Sequence, residues 1–225
     1  MKSFVILITT LAFLSFPLTI VHAEGSFIHK LSDYKTNLEN SIDSDIQKIN
    51  HINEKVHNLN IIEDKTREDT IQKFNDYTNT LNDLKNKIAN SKDPFELQDL
   101  GKNFNDVETG ISFFIKVSKL QFKCSRLDRM GLMFDRILND LEIKINSLDV
   151  ISPELEKEIE ALKTKHTDLN KRNKVMQDAL NQSDFSTNLD PFNDQINSIR
   201  SDYSSLRDNL KDLVDKVLTN DQSKK

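Results

Sequence analysis

From Phe192 onward, apolar residues recur at alternating spacings of three and four: Phe192, Ile196, Ile199, Tyr203, Leu206, Leu210, Leu213, Val217. Such a rhythm puts all eight side chains along one stripe of a helix and onto no continuous face of a strand. A helix of this kind must bury that stripe, so the chain has to supply at least one further helix to cover it.

The same rhythm recurs upstream. After Pro153 it runs Leu155, Ile159, Leu162, His166, Leu169, Asn173, Met176, Leu180, with two polar residues on the seam. Leu31, Leu38, Ile42, Ile49, Ile52, Val56 and Leu59 hold a comparable register, broken by Lys35 and Asp45. Phe74, Tyr77, Leu81, Leu84 and Ile88 form a shorter stripe after a break expected around Asn60 to Asp64. Three prolines follow Asp or Ser, in Asp93-Pro94, Ser152-Pro153 and Asp190-Pro191. Each is a predicted helix start, with a side-chain cap before a proline whose missing N–H costs nothing there. Glu96 stands where a capping box would return its carboxylate to Asp93.

Between Pro94 and Asp149 the pattern changes. Ile111, Phe114, Ile115, Phe122, Met130, Phe134, Ile137 and Leu141 occupy one side, and Phe113, Val117, Leu120, Leu127, Met133 and Leu138 occupy much of the rest. A helix apolar nearly all round is expected to be the most buried element. Gly101, Gly110 and Gly131 predict a bend or a division, giving a short helix over 94–108 and a long one over 111–148. The fold class that follows is all-α: an elongated antiparallel bundle of about five long helices with coiled-coil-like heptad packing. With only four Gly and four Pro in 225 residues, an all-β fold of many short strands is excluded.

The N-terminus reads separately. Lys2, the uncharged run from Phe4 to Phe16 and Val21-His22-Ala23 form a secretory signal peptide over 1–23, cut before Glu24, with no transmembrane anchor after cleavage. Removal leaves 202 residues with 30 basic and 36 acidic side chains, a net charge of −6. These are expected to form one helical-bundle domain over 24–219 and a disordered polar tail over 220–225.

Signatures of chemistry are missing. The sequence has no Gly-x-Ser-x-Gly, no Gly-x-Gly-x-x-Gly, no phosphate-binding loop, no His-Glu-x-x-His and no calcium loop. Glu54-x-x-His57 has di-iron spacing but no second copy, so it reads as a solvated face. No catalytic residue, metal site or cofactor is expected. Cys124, the sole cysteine, is either a buried inert thiol, as Phe122 and Leu127 favour, or half of an intermolecular disulfide. Asn181-Gln182-Ser183 is an N-glycosylation sequon with Asn181 as acceptor.

One feature stands above background. From Thr109 to Leu127 there is no Asp or Glu, while Lys116, Lys119, Lys123 and Arg126 fall within an arc of roughly 80° of a helix. They form a cationic stripe suited to an anionic ligand such as a sulfated glycan or a lipid head group. Alternatively, the stripe neutralises acidic neighbours. Nucleic acid is a poor partner for a net acidic chain without an aromatic-basic motif. The sequence therefore predicts a secreted, non-enzymatic binding protein that engages an extracellular protein or an anionic ligand, in a secretion such as saliva acting on host components. It is expected to be a monomer or weak homodimer. Two other readings remain: an amphipathic lipid-binding carrier that opens onto a lipid surface, and a structural coiled-coil oligomer.

Overall fold

The computed structural model describes residues 24–59, 64–147 and 152–222. Residues 1–23, the expected signal peptide, lie outside these residues, and so does most of the break expected at Asn60 to Asp64. Five helices make up the fold: α1 (Glu24–His57), α2 (Asp64–Asn90), α3 (Pro94–Asn146), α4 (Pro153–Asn181) and α5 (Asp190–Gln222). The helix α5 continues three residues into the segment read as a tail, whose remainder, 223–225, is not described.

Two of the three predicted caps form as the sequence indicates. The Asp93 carboxylate accepts from the Phe95 N–H at 3.0 Å, and the Ser152 hydroxyl accepts from the Leu155 N–H at 3.2 Å. At the third start the cap moves: Asn188 Oδ1 accepts from the Asp190 N–H at 3.1 Å, leaving Asp190 inside the first turn. Glu96 does not close a capping box either. Its carboxylate accepts from the Ser91 hydroxyl at 2.7 Å, tying the α2–α3 turn to the first turn of α3.

The helices build two cores in series. One joins α1, α2 and the first half of α3 around Ile42, Ile49, Phe74, Leu81, Ile88 and Phe104. The other joins α4, α5 and the second half of α3 around Phe134, Leu169, Met176, Ile199, Tyr203 and Leu206. Among the described residues, α1 and α2 do not approach α4 or α5, so α3 alone belongs to both. At 1.5 Å per residue its 53 residues span roughly 80 Å.

This arrangement corrects the expectation that α3 is buried all round and divided at its glycines. Its first half turns Leu97, Leu100, Phe104 and Ile111 toward α1 and α2; its second half turns Leu127, Phe134, Leu138 and Ile145 toward α4 and α5. At about 100° per residue these two sets lie on nearly opposite sides of the helix. Averaged over its whole length α3 looks apolar everywhere, although each half covers only one face. Around 111–122 the two faces overlap: Ile115 and Phe122 pack into the first core while Leu120 belongs to the second. The helix runs straight through as one element because both sides are engaged there.

The glycines of α3 are seats for tyrosines. A Cβ on Gly101 would run into the Tyr34 hydroxyl, one on Gly110 would stand 3.3 Å from that of Tyr77, and one on Gly131 would stand 3.1 Å from that of Tyr203 and collide with Asn170 Oδ1. All three tyrosines of the chain thus place their hydroxyls over a glycine of this helix. The cost of filling each seat depends on what can move. Tyr34 is only part-buried, so Gly101→Ala is expected to change stability by less than about 1 kcal/mol, helix propensity offsetting the displacement. Tyr203 is fully buried, so Gly131→Ala is expected to destabilise by about 1–3 kcal/mol in urea titration, despite the better helix former.

The polar interruptions of the seams have partners. Lys35 donates to the Ala89 carbonyl, one of the last open acceptors of α2. Asp45, almost fully buried, pairs with Lys48 at 2.6 Å. His166 and Asn173, the two polar residues on the α4 seam, are both buried. Asn173 Nδ2 donates to the Cys124 carbonyl at 3.1 Å and to Asp128 at 2.6 Å. Tyr203 donates to Asn170 Oδ1 at 2.6 Å, and Asn170 Nδ2 lies 3.2 Å from His166 Nε2. These contacts fix the register of α4 against α3 and α5, because a slip by one turn would leave several buried polar groups unpaired. The Phe192 to Val217 stripe of α5 is covered inside the chain by α3 and α4.

Candidate functional site

The cationic stripe lies on α3 where the helix passes from one core to the other. There the first core draws Ile115 and Phe122 to one side, the second draws Leu120 and Cys124 to the other, and the stripe occupies a strip between them. Lys116, Lys119, Lys123 and Arg126 are all exposed. Among the described residues no carboxylate comes within 4.0 Å of any of the four, and Lys123 donates to the neutral Asn193 amide at 2.6 Å. The two nearest acids downstream on the helix lie on its α4 side, although Asp135 is exposed. Asp128 accepts from Asn173 and Gln177 of α4, and Asp135 stands 3.3 Å from His166 Nδ1. The reading in which the stripe neutralises acidic neighbours therefore has no ion pair behind it, and the four charges stand side by side, uncompensated.

The α4–α5 connection leans on the same stretch of α3 from another side. Gln121 Nε2 donates to Asn181 Oδ1 at 2.8 Å, and the Phe185 ring meets Phe113 edge-on at 5.3 Å while leaving much of its own surface open. Asp184 holds this turn by accepting from Ser186 and Thr187, bonds that pull its carboxyl below the usual range. Asn181 is the last residue of α4 and is exposed, and its Nδ2 is not the atom engaged by Gln121, so the sequon is sterically reachable.

Cys124 is fully buried in the second core. Burial, reinforced by the Asp128 carboxylate, pushes its thiol up to about 12. The enclosed sulfur and its tightly held proton accord with the buried, inert thiol of the two readings. The folded protein is expected to react with a thiol reagent such as dithionitrobenzoate at least ~100-fold more slowly than the same chain in guanidinium, the rate reporting opening of the second core.

Glu54 and His57 are both exposed on α1, consistent with a solvated face. Glu108 on α3 is the carboxylate that sequence reading missed. Burial first, and then the nearby Asp45, hold it above the ordinary carboxylate range, with Lys48 opposing. Its seat beside a buried Asp could have been suspected only with the register of α1 against α3 in hand. Among the described residues no helix is long and apolar enough to cross a membrane. Comparison with family models, with curated proteins and with solved structures gives no match in any of the three, so the residues themselves carry the functional argument.

Proposed function

We propose that this chain is a secreted, non-enzymatic binding protein that engages an extracellular partner bearing negative charge through the stripe Lys116, Lys119, Lys123 and Arg126. The observation that carries the reading is that, among the described residues, no carboxylate lies within ion-pair reach of these four exposed cations, in a chain of net charge −5. Four like charges within one arc repel one another, and that repulsion is relieved when an anion docks. The secretory part of the reading rests on the composition of residues 1–23.

Retention on heparin at low salt tests the site. Wild type is expected to be retained and to elute as salt rises, because exposed charges are screened over about 10 Å at 0.1 M. The variant K116E/K119E/K123E/R126E is expected to flow through with its helicity intact. Flow-through by wild type removes the proposed site. The opening lipid carrier has less support, since opening the second half would unpair the buried contacts of Asn173 with Cys124 and Asp128.

A further inference from the structure

The stripe does not end at Arg126. Its alternation of three and four continues without a break as Lys116, Lys119, Lys123, Arg126, Met130, Met133, Ile137, Asp140, which is one ridge that curls slowly around α3, by about 20° per heptad. The first half of this ridge is cationic and the second half is apolar. Met130 is part-buried, but Met133 and Ile137 are 57% and 40% exposed, and beside them Leu132 and Ile143 are 61% and 63% exposed. Four of the large apolar side chains that the protein leaves in solvent are therefore gathered on twelve consecutive residues of one helix. They occupy the side of α3 that α1 and α2 cover upstream and that no other helix among the described residues covers here. Exposed Arg129 and Arg136 stand among them, and the single acid on this side, Asp140, closes the ridge.

Resting on the anion-binding reading above, we infer that this ridge is a docking surface for an anionic phospholipid membrane, used with both cores closed. Charge complementarity selects a negative occupant, since six cations from Lys116 to Arg136 face outward while Asp128 is held by α4 and the exposed Asp135 stands on the side of α3 toward His166. The mixture of residues selects lipid. A partner helix would have to bury Arg136 and Asp140 within its apolar contact, at a high desolvation cost. A head-group layer is wet, so guanidinium groups reach phosphates while Met133, Ile137 and Leu132 enter the acyl boundary. Two copies of the ridge would bring twelve cations together, which argues against self-association.

The test uses the full chain with vesicles of phosphatidylcholine alone and of phosphatidylcholine with roughly a quarter phosphatidylserine. Wild type is expected to cosediment with the second and not with the first. M133D/I137D, which changes only exposed positions, is expected to lose vesicle binding by about tenfold or more while still being retained on heparin. Heparin retention without vesicle binding overturns the lipid inference and spares the anion site. Failure of wild type to bind either removes both. Equal vesicle binding by M133D/I137D overturns the apolar half of the ridge, and a concentration-dependent dimer abolished by the same variant would give the face to a second copy.

Discussion

Leu206→Asp is expected to dismantle the second core and to leave the first one standing. Leu206 is 1% exposed amid α3, α4 and α5, so an aspartate there would be an unpaired charge in an apolar interior. The cost, about 3–5 kcal/mol, is a large share of the roughly 5–15 kcal/mol that holds a domain together. Because α1 and α2 do not touch α4 or α5, the loss is expected to stop partway along α3. Circular dichroism should fall by about half, and hydrogen exchange should keep protection in α1 and α2. Ser205→Asp, one position away and exposed, should shift stability by no more than ~0.5 kcal/mol. Loss of all helicity in one step would show that α3 locks the two cores into a single cooperative unit, and an unchanged melting temperature would mean that the buried face of α5 is misassigned.

The second large effect is alkaline. Cys124 and Tyr203 lie in the same core, and burial pushes each up to about 12 from ordinary values of 9.0 and 10.0, with the Asp128 carboxylate adding to both. The folded state holds these two protons more tightly than the unfolded chain does. Their contribution is therefore fully present below about pH 9 and is lost progressively as the pH rises toward 12, a loss on the order of several kcal/mol. The second core should open first on alkaline titration, with ionisation of Tyr203 coinciding with reaction of Cys124. The double variant C124S/Y203F should remove most of this pH dependence, at the cost of the Tyr203 to Asn170 hydrogen bond. A stability curve flat from pH 8 to beyond 11 in the wild type would sink this account.

The single-faced helices were readable because each buries one stripe along its whole length, as α2, α4 and α5 do. Asp93 and Ser152 were readable for the same kind of reason: a cap acts within one turn and needs no tertiary information. What escaped was α3. Its residues switch sides near its middle, and a reading that pools all of its positions turns two opposite stripes into one uniformly apolar cylinder. That error carried Met133 and Ile137 into the expected core and hid the apolar continuation of the cationic ridge. The glycines misled similarly, because Gly131 signals a break only until Tyr203 from α5 is known to rest on it. The four cations themselves were visible from spacing alone, but their lack of counter-charges depends on where α1, α2, α4 and α5 lie.

Since a single unbroken helix is the whole linkage between the two halves, its residue count sets the torsional offset between them. One amino acid inserted between Gly110 and Leu120 would swivel one half about the other by about 100° and lengthen the molecule by about 1.5 Å, while an insertion of seven would nearly restore the original bearing. The spacing between Ile111 and Leu127 therefore acts as a mechanical gauge: it fixes which outer surfaces of the two halves look in the same direction, independently of what fills either interior.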